Sequence, residues 1–302
     1  PPSEALSLAK MLLVEVFDFS TLELYGGKDK EISGKRRDVL DEMIRRLKKN
    51  EPIQYIIGVE SFCGLTFEVN PSVLIPRPET QELVGWIAGD CEEKETCRIL
   101  DIGTGSGLIA LMLAQRCEAQ IVGVELDTEA AQQARENVQA SPFASRVKIV
   151  NSDIRDYTPS QLFDIVVSNP PFFTEGVIPP NLQRLQARHS QSLPYEMLID
   201  AAYNLLNPAG LFCVILPSDT AQSFINTSIV KHFTPIRFTA VQTTPNKSPK
   251  RMLLCFKKGI DLIVRGDDDY PKRLDSIPNP PYALYVKGSI KSAENEYSTA
   301  VV

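Results

Sequence analysis

No apolar run in the sequence is long enough to cross a membrane, and no secretory signal is visible, so a soluble cytoplasmic protein is expected. The first residue is Pro1 rather than Met, so the true start is expected to lie upstream. No two of the six cysteines (63, 91, 97, 117, 213 and 255) stand at C-x-x-C spacing. They read as reduced thiols, and no metal site is expected. Cys91 and Cys97, which flank an acidic stretch, are the one place where a metal could sit. Positive charge is also short: the net charge of −6 argues against a surface coated for nucleic acid. Acid, however, is missing from Thr220 to Gly259, where Lys231, Arg237, Lys247, Lys250, Arg251, Lys257 and Lys258 are all basic. That run is either a local phosphate footprint or a set of solvated loops and strand ends.

The 302 residues suffice for about two domains with ample core. The chain is organised around residues 98 to 111. A short apolar run ends at Asp101; Gly103-Thr104-Gly105-Ser106-Gly107 follows, and an apolar helix begins at Leu108. This spacing predicts strand, tight turn and helix, the opening of a βαβ unit. A dinucleotide fingerprint would need its third glycine at the position of Leu108, and here it stands at Gly107. Asp101 would repel a pyrophosphate but attract an ammonium group. A ligand with an amino-acid end and a nucleoside end fits, and S-adenosylmethionine is one. Residues 119 to 125 predict a second strand ending in Glu125, placed for a bidentate bond to ribose hydroxyls. Asp127 is expected to cap a helix from Thr128 to Gln139. Residues 147 to 150 predict a third strand, and Asp153 after it could meet an adenine amino group.

A fourth strand, residues 163 to 168, runs into Asn169-Pro170-Pro171-Phe172. Two prolines fix φ and remove N–H donors, so the turn is rigid and its carbonyls are free. The Asn169 side-chain oxygen and the Pro170 carbonyl can accept two hydrogen bonds from one planar –NH2 group, with Phe172 stacked on it. Such a nitrogen is a poor nucleophile, and catalysis is then orientation and electrostatics. Asn279-Pro280-Pro281-Tyr282 repeats the letters without a preceding apolar strand and reads as a surface turn.

Residues 1 to 50 predict a small helical bundle with Val39, Leu40, Met43, Ile44 and Leu47 at helical spacing. Residues 53 to 70 predict a β-hairpin turning at Gly58 and Gly64. The Pro-rich stretch 71 to 80 reads as a stiff linker, with Thr80 capping a helix that carries Leu83, Val84 and Trp86.

Gln54-Tyr55-Ile56-Ile57-Gly58 through Ile75-Pro76-Arg77-Pro78-Glu79-Thr80 resembles the release-factor glutamine methyltransferases, over residues 1 to about 88. From about 97 to 258 the resemblance is to the tRNA1(Val) adenine-37 N6-methyltransferases. It is carried by Ser168 to Phe173, by Ala187-Arg188-His189 and by Thr244 to Arg251. Tyr270 to Leu274 and Pro278 to Gly288 resemble the start of the DNA-processing proteins of natural transformation. The chain stops at Val302, where that family's first strand would begin, so no DNA binding is carried over. The whole reads as a fusion or chimera of three pieces.

The resemblance implies an α/β fold: a Rossmann-like class I methyltransferase domain preceded by a small helical bundle and a β-hairpin. The expected divisions are 1–50 (bundle), 51–88 (hairpin and linker), 89–258 (methyltransferase) and 259–302 (truncated extension). The implied activity is S-adenosylmethionine-dependent N-methylation of adenine N6 in tRNA. The alternatives are N5-methylation of the Gly-Gly-Gln glutamine of peptide-chain release factors, and an inactive chain. Catalysis is assigned to Asn169, Pro170, Pro171 and Phe172. Cofactor binding is assigned to Asp101, Gly103, Thr104, Gly105, Ser106, Gly107, Glu125, Asp153 and Asn169. Substrate binding is assigned to Phe173, Arg188, His189, Lys247, Lys250 and Arg251.

Overall fold

The computed structural model describes residues 2–26, 33–92, 96–170, 193–242, 248–259, 261–264 and 283–286. It divides into two units, Pro1–Pro76 and Arg77–Val302.

The first unit opens with α1 (Pro2–Glu15), α2 (Thr21–Tyr25) and α3 (Gly34–Leu47). Ser20 and Glu23 form a capping box that starts α2. A small core of Leu12, Ile53 and Ile56 is flanked by half-buried Leu8, Val16, Leu40, Met43, Leu47 and Ile57. Val39 and Ile44, expected on the apolar stripe, are exposed. The inward line of α3 is narrower, with Leu40, Met43 and Leu47 at steps of three and four. Residues 53–57 are not strand but a short helix, α4 (Ile53–Ile57). Pro52 precedes it, and Gly58 ends it at φ 88. The hairpin is therefore shorter than expected: β1 (Val59–Phe62) pairs antiparallel with β2 (Leu65–Glu68). Cys63 and Gly64 turn it, both at positive φ (51 and 79).

The second unit begins with α5 (Pro78–Glu92). This helix was expected to belong, up to residue 88, with the hairpin and linker. It falls in the second unit instead, with Leu83, Val84 and Ile87 fully buried and its length against α6 and β7 of that unit. Thr80 is not its cap. Proline is favoured in the first turn, where no N–H partner is required, so the helix starts at Pro78 and Thr80 sits inside it.

Then follow β3 (Arg98–Ile102), α6 (Leu108–Arg116), β4 (Gln120–Glu125), α7 (Thr128–Ala140), β5 (Val147–Asn151) and β6 (Phe163–Ser168). After them come α8 (Tyr195–Leu205), β7 (Leu206–Pro217), α9 (Ala221–Val230), β8 (Phe233–Val241) and β9 (Arg251–Lys258). One seven-stranded sheet takes the order β5-β4-β3-β6-β7-β9-β8. The strands from β5 to β7 are parallel, and β9 runs antiparallel to β7 and β8. This is a doubly wound Rossmann-like α/β sheet ending in an antiparallel hairpin. The strand order reverses beside β3, which creates a crevice at the carboxyl ends of the strands. A separate antiparallel pair, β10 (Asp261–Val264) and β11 (Ala283–Val286), follows in the chain.

Burial on both faces explains why β3, β6 and β7 read as continuous apolar runs. One core cluster gathers Leu100, Val166, Val214 and Leu254 from the strands with Leu198 and Ala202 of α8. Its far end is aromatic: Phe212, Phe224, Phe233 and Phe256 sit with neighbouring ring centroids 5.4–6.2 Å apart. One cysteine expectation changes. Cys91 and Cys97 are joined in a disulfide, with Cα atoms 5.9 Å apart, at the join between α5 and β3. That separation lies within the range a disulfide spans. Cys213 and Cys255 remain thiols, directly opposite each other on β7 and β9.

Candidate active site

The sheet register brings the separate motifs to one edge. Ile102 at the end of β3 lies beside Val124 of β4 and Ser168 of β6. The loops after these three strands therefore leave the sheet at the same level. The Ser168 hydroxyl donates to the Ile102 carbonyl at 2.8 Å and is buried, clamping the end of β6 to the end of β3. Sequence reasoning did not single out Ser168; a lone hydroxyl closing an apolar strand was the available signal.

The glycine turn follows β3. Gly103, Gly105 and Gly107 have φ of 71, 58 and 80, a conformation that a side chain strains. The Gly103 N–H donates to the Val124 carbonyl at 2.8 Å, tying the turn to β4. Gly107 also allows close packing, since a Cβ there would lie 3.6 Å from the Ala134 Cβ of α7. Ser106 is buried, and its carbonyl accepts from Asn137 Nδ2 at 2.9 Å. The turn is thus held from both sides, with Thr104 and Ser106 facing inward.

Asp101 is 1% exposed. Its Oδ2 accepts the Thr104 hydroxyl at 2.6 Å, while Oδ1 is buried with no hydrogen-bond partner among the described residues. Burial pushes its carboxyl up from 3.8 to about 7; the Thr104 hydrogen bond opposes this and the negative charge of Glu125 adds to it. Glu125, also buried, accepts the Gly105 N–H on Oε2 at 2.9 Å and the Asp127 N–H on Oε1 at 3.0 Å. Each carboxylate oxygen keeps lone-pair capacity after these bonds. Asp127 caps α7 as expected, accepting the Ala130 N–H at 2.9 Å. Asp153 follows β5 and is held by Arg155, whose guanidinium and backbone N–H both donate to it. Those contacts hold its carboxyl below the usual range.

Asn169 emerges from β6 directly beyond the Ser168 clamp. Its Oδ1 is buried and has no hydrogen-bond partner among the described residues. Pro170 beside it is buried. Pro171, Phe172, Phe173, Arg188, His189 and Lys247 lie outside the described residues, as does the Asn279 turn.

Lys250 and Arg251 reach the same edge by another route. Arg251 opens β9 opposite Pro217, the last residue of β7, so both stand at the carboxyl end of the parallel strands. The acid-free run as a whole does not form one patch. Lys257 and Lys258 lie at the other end of β9, and Lys258 donates to the Leu206 carbonyl at 2.7 Å. Lys231 pairs with Asp200 at 2.7 Å. Arg237 is committed to Asp90 and stacks 4.6 Å from the Trp86 ring centroid. Its guanidinium also approaches Cys255 Sγ at 3.8 Å. Asp90, Cys213 and Cys255 come within 4.8 Å of one another, and Arg237 brings the positive charge to that cluster. The Cys213 thiol 3.3 Å away holds the Cys255 thiol below its ordinary range, with Arg237 assisting.

Comparison with known proteins gives three consecutive matches. Residues 87–238 match the "Methyltransferase small domain" model. Residues 2–58 match the "PrmC N-terminal domain" and residues 261–302 "DNA recombination-mediator protein A". A tRNA1(Val) (adenine(37)-N6)-methyltransferase of Phocaeicola vulgatus is 45% identical over 169 residues, 56% of this chain and 72% of that protein. One from Porphyromonas gingivalis is 43% identical over 224 residues, 72% of this chain and 86% of that protein. Among solved structures, a methyltransferase from Pyrococcus furiosus aligns at 21% identity with a TM-score of 0.49, over 73% of this chain and 100% of that one.

Proposed function

The chain belongs to the methyltransferase small-domain family and is an N-methyltransferase; from that premise we propose that it methylates N6 of an adenine in tRNA, using S-adenosylmethionine. The observation that carries this reading is the buried Oδ1 of Asn169, without a hydrogen-bond partner among the described residues, at the mouth of the crevice. An acceptor left without a donor in a buried position is costly. It fits a substrate that arrives with a planar –NH2 group. The relatives that share this domain are named for that chemistry.

The residues present suit S-adenosylmethionine. Asp101 Oδ1 is a second buried acceptor without a donor among the described residues, placed for an ammonium group. Glu125 keeps one lone pair on each oxygen for two ribose hydroxyls, and its backbone bonds fix its orientation. Asp153, after β5, is assigned to the adenine amino group. The glycine turn lets the backbone approach closely. When bound, the cofactor supplies an electrophilic methyl group on a sulfonium. Asn169 Oδ1 and the Pro170 carbonyl accept the two hydrogens of the target amine and aim its lone pair at that methyl. The turn is pre-oriented, so the alignment is made before reaction. No strong base is required if the proton leaves after transfer. Phe172, Phe173, Arg188 and His189 are assigned to hold the base and its flanking nucleotides, and Lys247, Lys250 and Arg251 to pair with phosphates. Such a substrate places the protein in the cytoplasm.

A second reading is favoured by the match of residues 2–58 to the PrmC N-terminal domain. Under it the target is the planar side-chain amide of the Gly-Gly-Gln glutamine in a release factor. The experiment is methyl transfer from labelled S-adenosylmethionine to unmodified tRNA and to unmodified release factor in separate reactions. Label at adenine N6 of tRNA is expected. Label in the release factor alone would overturn the leading reading.

A further inference from the structure

At the amino ends of the parallel strands, opposite the crevice, lies an open groove of about 700 Å³. Arg98 at the start of β3, Arg135 of α7, Arg146 and Lys148 at the start of β5 line it, together with Gln139 and Tyr157. Among the described residues no acidic side chain lines it. Four cations around one groove contrast with a chain whose net charge is −6.

Two of the four have structural employment. Arg146 donates to the Ala114 and Cys117 carbonyls at 2.6 Å, closing the end of α6, and lies 3.5 Å from Glu118, which is 91% exposed. Arg98 reaches the Gln161 and Leu162 carbonyls at 3.3–3.4 Å. Arg135 and Lys148 make no hydrogen bond or ion pair with any described residue. Like charges converging on one groove, two of them without an ion pair among the described residues, raise the local potential and attract an anion. Arginine forks suit phosphate oxygens in particular.

We propose that this groove takes the phosphate backbone of the RNA substrate, on the side of the sheet remote from the catalytic turn. The inference rests on the tRNA reading above. The distance suits it. Strands of five to six residues at about 3.3 Å each separate groove and crevice by roughly 17–20 Å. A-form RNA rises about 2.8 Å per nucleotide, so that distance is roughly six to seven nucleotides of one strand, within a single stem. The groove supplies affinity without sequence information, as phosphate contacts do. It also answers how an acidic protein holds a polyanion: the positive charge is gathered rather than spread.

The test is binding of unmodified tRNA across a salt series by the full chain and by Arg135→Gln/Lys148→Gln, with methyl-transfer kinetics on both. Neither residue belongs to the cofactor or catalytic machinery. Loss of two phosphate contacts should reduce the slope of log K against log[salt] by about 1.4–1.8. KM for tRNA should rise, with kcat and cofactor affinity unchanged. An unchanged slope, with wild-type protein still binding and methylating tRNA, overturns the groove proposal alone. Wild-type protein that neither binds nor methylates tRNA overturns the substrate reading and the groove with it. Titration with inorganic phosphate separates the sources. Tight phosphate binding lost in the double variant, with the tRNA slope unchanged, would assign the groove to a small free anion and overturn the RNA assignment.

Discussion

Replacing Asp101 by Asn should stabilise the cofactor-free protein and weaken cofactor binding, by amounts that depend on pH. The carboxyl is 1% exposed, and burial is the main cause of its rise from 3.8 to about 7. A carboxyl with a raised folded-state pKa keeps the folded chain more protonated than the unfolded one. Stability therefore falls as pH rises from about 4 to about 7 and levels off above. With those two pKa values, the ionisation penalty is about 2 kcal/mol at pH 5 and about 4 kcal/mol at pH 8. Asn removes the titration while keeping an acceptor for the Thr104 hydroxyl. The variant's advantage should be small in acid and reach about 4 kcal/mol at pH 8, roughly 8–16 °C in Tm for a domain of this size. The assay is urea or thermal unfolding of both proteins at pH 5 and pH 8 without cofactor. Cofactor affinity, measured by calorimetry, should fall with pH below 7 in the wild type, because an ammonium group favours the ionised form. In Asp101→Asn it should be weak and flat over that range. A variant that is less stable than wild type at pH 8, or a stability difference that does not change with pH, would refute the reasoning about this carboxyl.

Three further outcomes follow from the geometry. Asn169→Ala should lower kcat by about 10²–10³ while cofactor affinity, read by calorimetry, stays close to wild type. Asp127→Ala removes the cap that accepts the Ala130 N–H and should cost about 1 kcal/mol in urea unfolding. Gly123→Ala should cost more: its Cβ would lie 2.9 Å from Ile149 Cδ1 and from Thr104 Oγ1, so both thermal stability and cofactor affinity should drop.

The parallel strands and the glycine turn were legible because they are local. Apolar runs bounded by glycine, and a capping Asp127, carry their own signals. Asn169 was singled out by its tetrapeptide, but the burial of its side-chain oxygen was not legible there. That Oδ1 is buried, with no partner among the described residues, depends on packing at the strand end. The short helix at 53–57 was missed because five apolar and polar residues fit either period; Pro52 before it and Gly58 after it decided the matter. Thr80 was misread as a cap because Pro78 two residues earlier already starts the helix. The acid-free run suggested one patch, yet β8 and β9 carry its charges to opposite ends of the sheet, and Arg237 is neutralised by Asp90 from outside the run. The four cations of the amino-end groove come from three separated segments, at 98, 135 and 146–148, so no short window of sequence displays them together. The Cys91–Cys97 bond likewise depends on the end of α5 and the start of β3 standing close in space, which residue spacing alone does not show.

The hydroxyl of Ser168, bonded to the Ile102 carbonyl, gives the glycine turn and the Asn169 turn a single mounting. Bending or breathing of the sheet then carries both turns together. Displacement common to both does not alter the gap between them; only relative motion does. Under the proposed function, the positional error that matters to methyl transfer is therefore smaller than the thermal wander of either turn, much as two instruments on one bench stay aligned while the bench vibrates.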